Sequence, residues 1–442
     1  MSNVGRPRVL AVTTDGFAIR QLRLEMPLCN LKRQGLIEDY FITDPHLQGL
    51  PDDYRFDVIW LQRVGSLQLL EALENLVGYS YVFDLDDFLL GKPTYTGVRW
   101  EEQRERREGI EAALRNCEVF TCTSQRLVKM LEANLGVSLS QKAMICPNGF
   151  EFYGAMRKPL KPAGLVWTSS DFPALIRSRE PVISAICKFS KKYNLPIYGF
   201  GYFPSLITAS LPNYVSLGGV PFFHHKALLA SFPPLMGLAP LETMADQADL
   251  DFINSKSDLK IVEFGGFGHP SVYSDALPYT DTDLRCGVVT PNDESSWFEA
   301  MEIIYREKWR ELDREQAGVV EARNMDRIAG KCWYGAIRKI QRASLLKGSD
   351  IKDRLRMSME KRGAGRTMIE PIVPKRQIVD RNSYDNAYQF WKEYKKGHTA
   401  RREALEKIDA AYSLPLFFAL YPLYKIIKPL RKLVRFLKEN IV

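Results

Sequence analysis

Two rounds of one rhythm constrain this chain more than any other feature: short β-rich runs alternate with helical stretches, pause at a proline-rich connector, and begin again. Strands are expected at Arg8–Val12, Asp39–Ile42, Asp57–Leu61, Tyr81–Asp84, Val119–Thr123 and Ala143–Cys146, with helices between them that include Arg20–Arg33 and Arg99–Arg115. After Pro147-Asn148-Gly149 and the connector 156–162, strands are expected at Leu165–Thr168, Ile197–Gly199, Tyr214–Leu217, Leu235–Leu238, Ser271–Tyr273 and Gly287–Thr290. Helices fall at Ala174–Lys192, Asp258–Phe264 and Ser296–Arg306. Alternation of this kind builds parallel, doubly wound sheets, because each parallel pair needs a crossover. The 442 residues leave room for two such units and a third region at the usual ~150 residues per domain. The division expected is 1–155, 163–330 and a helical, basic extension over 331–442. Ligands of open α/β sheets sit at the carboxyl ends of the strands, so the expected site is the cleft between the units.

Composition narrows the class. With 45% apolar and 26% charged residues the chain is globular rather than disordered or fibrous. Seven cysteines, scattered and without C-x-x-C spacing, exclude a disulfide scaffold or zinc ribbon and suggest a reducing compartment. Five histidines, of which only His224 and His225 adjoin, assemble no local metal site, and no metal or cofactor is expected. His224-His225 reads as a helix start without a ligand role.

Charge is uneven along the chain. From Lys331 onward there are 26 basic against 11 acidic residues, whereas residues 1–330 carry 35 against 42. A basic tail on an acidic body suggests a polyanionic partner. Near the C-terminus Leu423, Ile426, Ile427, Leu430, Leu433, Val434, Leu437 and Ile441 share one helical face, opposite Lys425, Lys428, Arg431, Lys432, Arg435 and Lys438. Pro415, Pro422 and Pro429 break this into short jointed helices. Bulky apolar residues beside a nearly pure basic face favour an anionic membrane surface, bound through 413–442, over nucleic acid. The longest uncharged, largely apolar run near the C-terminus, Ala410 to Tyr424, is too short to span a bilayer. With an N-terminus that reads as strand and turn, the expected location is cytoplasmic, peripheral to the cytoplasmic face of the membrane.

Chemistry concentrates in Met236-Gly-Leu-Ala-Pro-Leu-Glu242 and in Phe252–Pro270. A strand ends in a proline loop, and a polar segment leads to a helix with Ser257 as N-cap and Asp258 in its first turn. That helix start offers free N–H groups and a positive dipole end to a diphosphate, with Lys256 and Lys260 adding charge. Glu263, one to two turns on, suits a diol such as a ribose. Thr168, Ser169 and Ser170, after the first strand of the second unit, form a second phosphate cradle. In the first unit, the loop holding Asp15 and Gly16 lies at the same edge. Arg20 and Arg23, at i,i+3 spacing, suit a phosphate or a surface ion pair equally.

The segment Lys260–Ser274, KIVEFGGFGHPSVYS, resembles the nucleotide-sugar signature of retaining GT-B glycosyltransferases, the family that includes bacterial polysaccharide and lipopolysaccharide sugar transferases. Pro147-Asn148-Gly149, Leu165–Ser170, Met236–Glu242 and Gly287–Asp293 follow in that family's order, over roughly residues 8–325. The resemblance implies an N-terminal acceptor domain, a C-terminal donor domain, transfer of a sugar from a nucleotide-diphosphate donor to a glycan or lipid-linked acceptor, and Glu263 on the nucleotide ribose. The family often places another Glu eight residues earlier, on the donor sugar. This chain has Ser255 there, and Asn254 and Lys256 are the nearby candidates to contact sugar and diphosphate instead.

Val82-Phe-Asp-Leu-Asp-Asp-Phe88 supports three readings. Asp84, Asp86 and Asp87 could hold a metal. Asp84 and Asp86 could be nucleophile and acid/base of a haloacid dehalogenase-type, Mg-dependent phosphatase. The preferred reading puts the loop in the acceptor side of the cleft, where Asp84 binds acceptor hydroxyls and Asp86 or Asp87 supports developing positive charge. A non-catalytic membrane scaffold is the remaining alternative.

Overall fold

The computed structural model describes residues 5–14, 18–76, 79–90, 104–152, 158–169, 178–201, 210–218, 222–340 and 345–361, with 156, 175 and 208. Strands β1 (Arg8–Thr13), β2 (Asp39–Thr43), β3 (Arg55–Phe56), β4 (Val58–Gln62), β5 (Tyr81–Leu85), β6 (Val119–Cys122) and β7 (Ala143–Ile145) belong to the first half. Strands β8 (Leu165–Thr168), β9 (Ile197–Phe200), β10 (Tyr214–Gly218), β11 (Met236–Ala239), β12 (Ser271–Ser274) and β13 (Gly287–Thr290) belong to the second, and β14 (Leu346–Lys347) follows them. One six-stranded sheet runs β2-β1-β4-β5-β6-β7 and another β10-β9-β8-β11-β12-β13. Every pairing within the two is parallel.

The strands form where they do because both faces are covered. Val9–Val12 and Val58–Leu61 have no exposed surface, as the near-continuous apolar runs of parallel sheets require. The intervening helices start on side-chain caps. Ser66 accepts from Leu69 N–H, Ser124 from Leu127 N–H and Asp293 from Ser296 N–H. Gly136, at φ 62, ends the Gln125–Leu135 helix in the left-handed conformation glycine adopts freely.

Strand order fixes where ligands can enter. The second sheet, numbered by its own strands, is wound 3-2-1-4-5-6, so its direction reverses between β8 and β11. The first reverses between β1 and β4. Crevices therefore open beyond Thr168 in one lobe and beyond Thr13 and Gln62 in the other.

The expected extension from 331 begins, in fact, as part of the first lobe. The Met325–Lys331 and Trp333–Lys339 helices pack on the Met26–Arg33 helix. Strand β14 pairs antiparallel with β3, and the Gly348–Lys361 helix lies against Leu67–Glu74. The cause is apolar: Trp333, Ala336 and Ile337 are buried, and Ile351 and Leu355 join the first lobe's core. A further apolar cluster joins the lobes, taking Leu22, Leu28 and Leu31 from the first, Leu228, Phe232, Ile261 and Phe264 from the second, and Trp333 and Ile337 from the returning helices. Residues 362–442, including the amphipathic tail, lie outside the described residues.

Two local expectations change. The helix expected over Arg20–Arg33 contains a π-helical stretch, Gln21–Glu25, between Ala18–Arg20 and Met26–Arg33. Wider winding there breaks the i,i+3 alignment of Arg20 with Arg23. The polar lead before the Glu263 helix is itself partly helical, Gln247–Ser255.

Candidate active site

At the second lobe's crevice, Thr168 ends β8 and the Leu259–Gly266 helix brings Lys260 and Glu263 against it. Glu263 is 3% exposed. Its Oε2 accepts from Lys260 Nζ at 2.6 Å and from Thr168 Oγ1 at 3.1 Å, while Oε1 meets His225 Nε2 at 2.6 Å. Lys260 Nζ also bonds Thr168 Oγ1. Burial opposes the carboxylate's charge, but Lys260 and His225 outweigh it and hold the group well below the usual carboxylate range. The carboxylate is thus favoured over the neutral acid around neutral pH. Two carboxylate oxygens offer about four acceptor positions, and three are used.

The expected helix start needs correction in detail. The Asp258 side chain occupies the N-cap position without capping; its Oδ2 accepts from Arg323 and from Thr282 Oγ1. Ser257 caps nothing and instead accepts from Asn148 Nδ2 at 2.9 Å, from the first lobe. Lys256 ends the preceding helix, with its ammonium over the Phe252 ring at 4.5 Å. Its charge acts on Asp87. Asn254 is half-buried and contributes its carbonyl to Arg126.

Ser255, expected beside a donor sugar, has no exposed surface. Its hydroxyl accepts from Phe88 N–H at 3.2 Å and donates to Phe252 O at 2.7 Å. Its donor and one acceptor position go to backbone and none of its surface is exposed, so the residue joins the lobes rather than facing a ligand. Ser169 donates its N–H to Phe200 O, closing β8 on β9, and Ser170 lies outside the described residues, as do Asp15 and Gly16.

In the first lobe a row of polar side chains crosses the carboxyl ends of four strands in register: Thr13, Gln62, Asp84 and Thr121. None is more than 3% exposed. Arg23, also fully buried, forks onto Asp84 with Nη2–Oδ1 at 2.6 Å and Nε–Oδ2 at 3.0 Å. Thr121 Oγ1 adds a third bond to Oδ1 at 2.7 Å. Asp84 is therefore sealed: it binds no acceptor hydroxyl, and it cannot attack a phosphate as the phosphatase reading requires. Nor is Arg23 a phosphate ligand, since Cys146 O, Asn148 Oδ1 and the Trp333 ring take the rest of its guanidinium. Arg20 pairs with Glu25 at 2.7 Å, the surface-type reading of that residue.

Asp86 and Asp87 share Arg63, whose left-handed φ of 56 is fixed by its own N–H on Asp84 O and by the fork it makes. Both Asp86 oxygens bond Arg63 and the residue is 4% exposed, so it holds that arginine in place. Burial and neighbouring Asp87 push its carboxyl up against the pull of Arg63. Asp87 keeps 22% of its side chain exposed. Burial opposes its charge too, yet Lys256 and Arg63 together hold it below the ordinary value. Asp87 is thus the anion of this loop that remains accessible. Among the described residues no group of three or more His, Cys, Asp or Glu could hold a metal ion.

His225, Arg63, Arg126 and Asn148 are the functional candidates that sequence reasoning missed. Each acts on a partner more than twenty residues away; Asn148 stood in the sequence only as part of a motif and His225 only as part of a helix start, and nothing marked Arg63 or Arg126.

Two doubly wound lobes whose carboxyl-edge loops touch define the GT-B architecture. No family model matches the sequence, and no curated protein matches it. Among solved structures the chain is similar to HepE of Anabaena in complex with UDP and glucose, at 11% identity over 76% of this chain and 100% of that chain, with a TM-score of 0.52. It is also similar to WaaG, a glycosyltransferase involved in lipopolysaccharide biosynthesis, at 10% identity over 73% and 98% with a TM-score of 0.49, too distant to add to the argument. The chain has the GT-B fold.

Proposed function

We propose that this chain is a glycosyltransferase that moves a hexose from a uridine diphosphate sugar to a glycan or lipid-linked acceptor, with retention of configuration. One observation carries the reading: buried Glu263, bonded to Lys260 and Thr168, stands at the point where the second sheet reverses direction. A carboxylate with an acceptor position to spare suits a ribose diol. Lys260, with 27% of its side chain exposed, is the group of the network best able to turn towards a diphosphate. The uridine choice follows HepE, whose structure holds UDP and glucose. Retention follows the resemblance of the Lys260–Ser274 segment.

In this reading the second lobe binds the donor and the first the acceptor. Lys260 and the N–H groups at the start of the Glu263 helix stabilise the departing diphosphate, an electrostatic contribution that needs no bound metal. Asp87, ionised and accessible, faces the acceptor side, where it orients a hydroxyl or balances positive charge developing on the sugar. Lobe contact excludes water, whose attack on the donor is the competing reaction. No helix among the described residues is long and apolar enough to cross a membrane. The tail 413–442 would hold the enzyme on an anionic surface on the cytoplasmic side, where lipid-linked acceptors of polysaccharide synthesis are presented.

Calorimetric titration with UDP, GDP and ADP tests the donor reading. UDP binding weakened about tenfold or more by Glu263→Ala, roughly 1.4 kcal/mol, is the expected result; a chain that binds none of the three sinks it. Liposome sedimentation with and without 413–442 tests the anchor separately.

A further inference from the structure

The segment Asn254–Asp258, which delivers the chain into the Glu263 helix, is held at each of its five residues. Four of the five holds come from the opposite lobe. Arg126, on the Gln125–Leu135 helix, donates from Nε to Asn254 O and from Nη2 to Lys256 O at 2.8 Å. Its Nη1 reaches Leu277 O at 3.3 Å and pairs with Asp281 at 2.6 Å. Between the two carbonyls Arg126 grips, Phe88 N–H donates to Ser255 Oγ. Next, Asn148 donates to Ser257 Oγ, and Asn148 is itself fixed by Arg23, which Asp84 holds. Only Asp258 is held mainly from its own side, by Arg323 and Thr282.

An arginine spending its fork on carbonyls of another lobe is unusual chemistry for a surface ion pair. Only 11% of its side chain is exposed, and three of its four bonds go to neutral oxygens whose positions it sets. We infer that Arg126 is a positioning residue that couples lobe contact to the donor site: its bonds to Asn254 O and Lys256 O set the backbone from which the Glu263 helix starts, so the site is complete only while the lobes touch. This rests on the proposed donor site for what binds there, but not for the coupling itself. Separation of the lobes would release Arg126, Phe88 and Asn148 together, and the segment would lose four consecutive anchors. Apparent affinity then falls by the fraction of molecules in which the segment is set.

The test uses the full chain and three variants. Calorimetry with UDP gives both affinity and stoichiometry, and amide exchange follows residues 254–262. For Arg126→Ala the expected result is a UDP Kd raised about tenfold or more at unchanged stoichiometry, with faster exchange through 254–262 and retained protection in β1 and β8. Arg126→Lys, able to serve one carbonyl, should recover part of the affinity. Asp281→Ala, which removes only the exposed partner, should stay within twofold of the parent. An Arg126→Ala protein with parental Kd and exchange overturns the inference. So does one with reduced stoichiometry at parental Kd, the mark of a merely misfolded fraction. If the parent chain takes no UDP, the donor reading falls, and exchange in 254–262 alone decides the coupling.

Discussion

The two lobes keep their polar residues at the same edge of the same kind of sheet and put them to opposite use. In the first, Thr13, Gln62, Asp84 and Thr121 form a row with Arg23 in which no member is more than 3% exposed. In the second, Glu263 is as deeply buried, but its lysine partner reaches solvent. A carboxylate at a strand end is therefore not a functional residue by position. What separates scaffold from site is whether its counter-ion is also enclosed. Asp84 is locked by an arginine that has nowhere else to go; Glu263 is charged by a lysine that can let go.

That contrast can be broken by measurement. Asp84→Ala should do the most damage, because it strands the Arg23 guanidinium in an apolar interior; a loss of about 3–5 kcal/mol is expected in urea unfolding. A loss below ~1 kcal/mol would mean that the first lobe's edge is solvated after all and the two edges are alike. Gly266→Ala should cost about 1–3 kcal/mol by overpacking, since the added carbon would stand 2.0 Å from the Phe152 ring, itself packed on Phe150 and Phe267. An unchanged melting temperature would count against that packing.

Glu263→Gln should cost about as much or less, in the range of 1–3 kcal/mol for bonds to a charged group, because Lys260 can turn to water. Its signature is in the pH dependence. The folded carboxyl lies below its ordinary 4.5, so the unfolded chain takes up the proton first as pH falls. The stability difference between parent and Glu263→Gln should be full above about pH 4.5 and shrink as pH drops toward the depressed folded value. A difference that instead grows on acidification would show the carboxyl to be protonated in the folded chain. The smallest effect sets the baseline: Arg104→Ala removes an exposed pair with Glu108 and should stay within about 0.5 kcal/mol. Anything larger would make ion pairing outside both edges part of the comparison.

The sequence was most legible where periodicity and composition speak for themselves. Leu165–Thr168 and Gly287–Thr290 stand as read, because continuous apolar runs closed by turns leave a parallel strand few alternatives. The short β3–β14 pair was not legible, being two residues long and 290 apart, Phe56 with Leu346. Chemistry was less readable than fold. Glu263 and Lys260 come together through a helical i,i+3 spacing visible in the text, whereas His225 reaches them only through tertiary packing. Arg20 took the ion-pair reading left open for it, whereas buried Arg23 fitted neither reading, because a π-helical turn is invisible to a regular wheel. Ser255 was misjudged because backbone that sequence does not place nearby, Phe88 N–H, engages its hydroxyl and buries it.

The return of residues 325–361 to the first lobe has a mechanical consequence. The chain crosses between lobes twice, and the crossings lie side by side: Phe150 N–H donates to Arg323 O at 3.1 Å and Met325 N–H to Phe150 O at 2.9 Å. Two crossings tied side by side would confine any separation of the lobes to rotation about one axis. The described residues end at Lys361, on a helix packed against the first lobe. A tail that grips a bilayer would then fasten that lobe and leave the other as the moving door, opening and shutting over a surface that stays put.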